Sequence, residues 1–268
     1  VLLICIVSAH RGFFQGQGNM LPTSVSQVLE AVVKLIVGMG AALANCGRDI
    51  LFSACSWGAE DTKSWIKTTG AGMWRSTGDI VDNWESIKSL FNQQVDIQAY
   101  NGTGCFNDMD MLVVGMDGAG NVGMGGCTAE EYKTHMSIWA MFSSPLIIGC
   151  DIRNMDDETK NILLNKDVIA INQDPACRQP FRLGYGSWVR YLDNGDIAVL
   201  IVNPDEKERW IFSELPDLGI TLETGKKLLV RDLWTGEEFT ASNESSATKI
   251  SRDVAPHTSR MFRCKVID

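Results

Sequence analysis

Asp174-Pro175 separates two hydrophobic rhythms, and no single layer architecture accommodates both. Ahead of it, from about residue 39, short apolar runs alternate with helix-period segments. "ILFSA" at Ile50–Ala54, Gly72–Arg75, Phe106–Val114 and "PLIIG" at Pro145–Gly149 read as short strands. Thr62–Thr68, 83–95, 129–142 and a segment around 156–164 read as helices. Asp82 is placed to cap the second of these, and Thr128-Ala-Glu-Glu is a capping box opening the third. Such alternation implies a parallel sheet of barrel type, whose function sits at the C-terminal strand ends. Beyond Pro175 the segments 187–192, 196–202, 207–212, 228–233 and 257–266 alternate with turns such as Asp193-Asn194-Gly195 and Thr235-Gly236. That spacing predicts an antiparallel β-sandwich. The expected division is 39–175 for the α/β part, 176–268 for the sandwich, and an unassigned segment 1–38. Within that segment only 25–37 has a helical pattern.

Charge narrows the partners. The chain has 268 residues and a net charge of −9, and the excess acid lies between residues 39 and 175. An acidic middle disfavours nucleic acid and anionic membrane, and suits a neutral substrate. "VLLICIV" is too short to span a bilayer and lacks the basic flank of a signal peptide. The eight cysteines form no C-x-x-C pair and no Cys/His cluster, so no metal or cofactor is expected. Cys105 and Cys127 flank a Gly-rich loop, where a bridge in an oxidising compartment competes with free buried thiols. Asn101-Gly-Thr and Asn243-Glu-Ser fit the glycosylation acceptor pattern.

The polar residues gather where a barrel would use them. Ser56 and Trp57, Arg75 and Asp79, Asp108 and Asp110, and Asp151 each fall just past a strand. Asp79 follows Gly78, which permits a tight turn, and Arg75 four residues earlier is placed to hold a carboxylate or a sugar hydroxyl. An Asp–Arg surface pair beside a helix cap is the plainer alternative. Asp108 and Asp110 point to opposite faces if extended, one toward the mouth and one tying down backbone. Trp57 and Trp74 offer flat faces for sugar or for core packing. His135 reads as a core residue, and "GMDGAGNVGMGG" as a flexible surface loop without a P-loop lysine. What remains is carboxylate chemistry at a barrel mouth, of which glycoside hydrolysis is the commonest use.

"FSACSWG", "WRSTGDIVDNW", "FNDMDMLVVG", "SIWAMFSSPLIIGCDIRNM" and "NKDVIAINQDP", in this order, resemble glycoside hydrolase family 27, the α-galactosidase and α-N-acetylgalactosaminidase family. The resemblance runs from about Met39 to the C-terminus. It implies the second half of a (β/α)8 TIM barrel followed by an antiparallel β domain, and hydrolysis with retention and no cofactor. By motif, Asp79 matches the general acid/base and Arg75 a substrate-contacting arginine. Trp57 joins the substrate-binding set, and Asp110 and Met111 match residues lining the galactose pocket. Ser56 and Ala59 stand where the family reads the sugar's 2-substituent.

Two departures bear on function. α-Galactosidases usually carry Glu where this chain has Ser56, and the small Ser56/Ala59 pair resembles the N-acetylgalactosaminidase pattern. An α-galactoside or an α-N-acetylgalactosaminide is therefore the expected substrate. The family's nucleophile lies in a "KYDxC"-like strand that residues 1–49 do not contain; neither Glu30 nor Asp49 replaces it. Cys55 has lost the cysteine that the family pairs with it. The chain is thus expected to be incomplete, with open barrel edges available for association. A catalytically inactive fragment, acting at most as a carbohydrate-binding or interaction module, is the alternative.

Overall fold

The computed structural model describes residues 34–219, 222, 226–242 and 249–268. The opening apolar run, Glu30 and the acceptor pattern at Asn243 lie outside the described residues. Helix α1 covers 34–44 among them.

Three short strands, β1 (Ser53–Cys55), β2 (Met73–Arg75) and β3 (Phe106–Asp108), form a parallel sheet in that order. Their alternation sorts two faces: Ala54, Trp74 and Asn107 pair across the sheet and are buried. Trp74 donates its indole N–H to Asn107 Oδ1 at 2.9 Å, so this ring is core and not a sugar platform. The expected strand at Pro145–Gly149 shrinks to one parallel bridge, Ile148 to Leu112, closed by Leu112 N–H to Ile147 O and Gly149 N–H to Leu112 O. Ile50 and Leu51 also fall outside β1 and are exposed. The apolar runs there have a strand's composition, but a strand needs a partner ladder as well as apolar side chains.

The helices of this part are α2 (Trp84–Val95), α3 (Ala129–Met141), α4 (Asp157–Leu163) and α5 (Lys166–Asn172). The capping box at Thr128 and Glu131 is formed with both its bonds. The region Thr62–Thr68 makes two 3₁₀ turns, Thr62–Ser64 and Ile66–Thr68. Helix α5 lies beyond the helices expected from the sequence; Asn165 caps it, accepting from Asp167 N and Val168 N.

The expected cap of α2 is a correction. Asn83 caps the helix, accepting from Ser86 N, while Asp82 is buried. Its carboxylate accepts from Tyr132 Oη at 2.9 and 3.0 Å and from Gly118 N at 2.8 Å. Its backbone exchanges bonds with Val122 O and Gly126 N. The Gly-rich loop 115–126, expected to be flexible, is therefore tied to Asp82. Gly118 stands at φ 75°, a conformation that favours glycine, and a Cβ there would press to 3.1 Å of the Gly125 backbone. Burial pushes the Tyr132 phenol and the Cys127 thiol well above their usual ranges. Cys105 and Cys127 are both free, as are the other described cysteines. Asn101 is buried, with its amide nitrogen donating to Phe142 O and Gln179 Oε1, so its acceptor pattern is not presented.

The C-terminal part pairs a six-stranded antiparallel sheet, β4-β5-β6-β11-β8-β9, with a two-stranded one, β10-β7. β5 (Ser187–Tyr191), β6 (Ile197–Val202), β7 (Arg209–Glu214), β8 (Lys227–Asp232) and β11 (Ser259–Ile267) lie close to the expected segments. β4 (Phe181–Gly184), β9 (Glu238–Ala241) and β10 (Lys249–Val254) were not anticipated, since their side chains are mostly polar or half-exposed. One face of the large sheet packs on β7 and β10 through Val199, Ile201, Ile211 and Ile250. The other presses Trp188, Leu200, Val202 and Met261 into one cluster with Trp139 and Phe142 of the helical layer. That double burial explains why β6, "IAVLIV", does not alternate. Arg190, fully buried, donates Nη1 to Ala140 O and Met141 O at the end of α3, and Trp234 donates to Ser137 Oγ.

Candidate active site

The strand ends converge. The last rung of β2 is Ser76 N–H to Asp108 O at 2.9 Å, and the Ser76 hydroxyl donates to the same oxygen at 3.1 Å. Gly78 and Asp79 then leave the sheet, and Ile80 N–H returns to Asp110 Oδ2 at 2.8 Å.

Asp110 adopts φ 80°, a left-handed conformation that is costly for a non-glycine residue and persists only when surrounding contacts over-determine it. They do. Its N–H donates to Asp108 Oδ1, its carbonyl accepts from Trp139 Nε1 at 2.7 Å, and its Oδ1 accepts from Met111 N. Asp108 and Asp110 are thus not opposed across an extended strand; both belong to one network. Asp108 is the backbone tie, and burial raises its carboxyl above the usual range.

Arg75 Nη2 joins the two loops. It donates to Gly78 O and Asp79 Oδ1, each at 2.9 Å, and stands 2.9 Å from Asp110 Oδ2. Asp79 itself is largely open to solvent, with its side chain 67% exposed. Trp57 reaches the same carboxylate from the loop after β1, donating Nε1 to Asp79 Oδ1 at 2.9 Å. The backbone makes this reach available through two successive positive-φ residues, Trp57 at 53° and Gly58 at 75°. Gly58 is required, since a Cβ there would lie 2.5 Å from Ser76 O. Its N–H pins the turn to Arg75 O. "CSWGA" carries that glycine in plain view, but the contact that requires it, with Ser76 O, lies on another strand end.

Ser56 and Ala59 close the same turn by Ala59 N–H to Ser56 O at 2.9 Å. Ser56 Oγ and Arg75 Nε are buried without a partner among the described residues. Met111 is partly buried against the core beside Gly149. Asp151 lies outside the cluster, chelated by Arg153 through Nε and Nη2 at 2.8 Å, and Cys55 is an exposed free thiol. Expected site residues Ser56, Trp57, Ala59, Arg75, Asp79, Asp110 and Met111 therefore share the three consecutive strand ends. Trp139, Asp108 and the Ile80 N–H complete the frame.

Comparison with known proteins agrees with the motifs. Residues 23–174 match the family model described as alpha galactosidase A, and 184–264 match the alpha galactosidase C-terminal beta sandwich domain. The alpha-galactosidase of Cyamopsis tetragonoloba is 39% identical over 228 residues, covering 84% of this chain and 52% of its own length. The crystal structure of alpha-galactosidase I from Mortierella vinacea superposes with a TM-score of 0.74 at 28% identity, covering 85% of this chain and 62% of that one. A family 27 β-L-arabinopyranosidase from Geobacillus stearothermophilus gives 0.75 at 28%, covering 86% and 53%. The chain spans about half the length of the curated relatives it matches. With part of a parallel barrel, the C-terminal β-sandwich and both family models in register, the chain belongs to glycoside hydrolase family 27, the α-galactosidase family.

Proposed function

We propose that this chain supplies the acid/base half of a retaining α-galactosidase-type hydrolase, acting on terminal α-linked galactose or N-acetylgalactosamine. The observation that carries the reading is Asp79: an open carboxylate at a parallel strand end, anchored through one oxygen and, among the described residues, without a donor at the other. A general acid must present one oxygen to the leaving group while its position is held, and this geometry allows both. In this reading Asp79 protonates the glycosidic oxygen and later takes a proton from water. Arg75 and Asp110 hold sugar hydroxyls, Met111 and Trp57 offer apolar surface, and Ser56 with Ala59 leave room at the 2-substituent. No cofactor enters.

Retention needs a second carboxylate as nucleophile. Asp110 does not fit that part: its Oδ2 takes both the Ile80 N–H and Arg75, and its Oδ1 takes the Met111 N–H, which leaves one acceptor direction for a sugar hydroxyl and no unengaged oxygen to attack with. This favours a second reading for the chain by itself, in which it binds sugar without turning it over. The exposed Ile50, Leu51, Ile147 and Ile148 at the sheet margins fit association with a further barrel segment.

Two assays test the proposal. Residues 39–268 joined to the N-terminal half of the Cyamopsis enzyme should hydrolyse an aryl α-galactoside or aryl α-N-acetylgalactosaminide. A folded chimera that turns over neither substrate contradicts the acid/base reading. Turnover by the chain alone removes the second.

A further inference from the structure

We infer that Trp57 is a positioning residue that assigns the two oxygens of Asp79 different duties: with Arg75 it saturates Oδ1, so the proton Asp79 exchanges rides on Oδ2. The inference rests on the acid/base reading of Asp79.

A carboxylate oxygen has two lone-pair directions. On Oδ1 both are used, by Trp57 Nε1–H and by Arg75 Nη2–H, each at 2.9 Å. A proton placed there would face two N–H donors head on. Oδ2 receives no donor among the described residues. The division does not depend on Arg75 alone. Its Nη2 also serves Gly78 O and stands against Asp110, whereas the indole has one hydrogen and one acceptor.

The indole is delivered by backbone that would not otherwise adopt its shape. Trp57 at φ 53° is costly for a bulky residue, and the adjoining Gly58 turn is fixed under Arg75 O and Ser76 O. Burial does not explain why the chain keeps the ring there, because Trp57 remains 59% exposed. The bond to Asp79 is what the strained turn achieves. Protonation on Oδ2 leaves Oδ1 a carbonyl-type acceptor, so the Trp57 bond survives both protonation states and the carboxyl does not swing during the proton cycle.

The test needs no turnover. Indole Nε1–H signals are followed by NMR in ¹⁵N-tryptophan-labelled chain as the pH is lowered from about 7 to about 3. The signal absent from Trp57→Phe identifies Trp57. Its resonance should move with pH in the native chain and stop moving in Asp79→Asn. Its hydrogen exchange should stay roughly fivefold slower than that of Trp210, the factor an ordinary hydrogen bond gives, at both ends of the titration. Trp210 is the reference because it is comparably exposed and its indole has no acceptor among the described residues. Exchange rising to the Trp210 rate on acidification, while the other indole signals keep their folded positions, would place the proton on Oδ1 and overturn the inference, as would a signal indifferent to pH or one still titrating in Asp79→Asn. An acid/base misassignment would appear separately, as hydrolysis by the chimera unaffected by Asp79→Asn.

Discussion

Tyr132 hydrogen-bonds both carboxylate oxygens of Asp82, at 2.9 and 3.0 Å, across fifty residues of chain. The same carboxylate takes the Gly118 N–H, so one buried side chain joins the loop before α2, the glycine loop and α3. Asp82→Ala leaves a phenol and an amide without an acceptor. It should lower the unfolding free energy by about 3–5 kcal/mol, and Tyr132→Phe by about 1.5–3 kcal/mol. Urea denaturation measures both. A change below about 0.5 kcal/mol for Asp82→Ala would return this residue to the surface-cap role its sequence position advertises.

His135 should make the fold acid-sensitive. It is fully buried, its Nε2 accepts from Val113 N–H at 3.1 Å, and burial lowers its pKa to about 3. Unfolded, the imidazole takes a proton below about pH 6.5; folded, it does so only near the lowered value. Between those limits the unfolded state binds the extra proton, so stability falls as pH falls, by up to about 1.4 kcal/mol per unit. Above that window the contribution is constant. His135→Gln keeps an acceptor for Val113 and cannot titrate, so its urea midpoint should drop less steeply with acid. Parallel pH curves for the two proteins would contradict this.

The two layers should unfold together. Trp188, Leu200 and Met261 of the sandwich share one buried cluster with Trp139 and Phe142 of the helical layer. Trp188→Ala removes a ring that meets Phe91 and Phe142 edge-on, and should cost about 3–5 kcal/mol across a single calorimetric transition. Two resolved transitions would show that the layers are thermodynamically separate.

Ser56 should control which sugar is read. In the chimera, Ser56→Glu fills the space beside Ala59 and should move the ratio of kcat/KM toward the plain galactoside by roughly tenfold or more, the scale of one misfit group in a pocket. An unchanged ratio would detach this position from recognition of the 2-substituent.

Much of this was legible in the sequence because it is local. Apolar spacing marks α2 and α3, the S/T-x-x-E pattern marks the capping box, and Asp193-Asn194-Gly195 marks a hairpin, since each reports on residues within one turn. The cluster of Arg75, Asp79 and Asp110 was legible for another reason: parallel strands deliver every C-terminal end to the same face. What stayed hidden depends on distant partners. Asp82 looks like a cap until Tyr132 arrives, and the glycine loop looks mobile until Asp82 ties it. Pro145–Gly149 has a strand's composition but pairs with its neighbour at one bridge only. Trp57 reads as a flat face for sugar or for core packing, and only the positive φ at 57 and 58 adds the turn of its N–H onto Asp79.

The most direct measurement is hydrolysis of an aryl α-galactoside and an aryl α-N-acetylgalactosaminide by the chimera and by its Asp79→Asn form, with folding checked by circular dichroism. The expected result is turnover of at least one substrate by the chimera and a loss of roughly a hundredfold or more in Asp79→Asn, the scale of a missing general acid/base. Undiminished turnover in Asp79→Asn would contradict the assignment on which the proposed function stands.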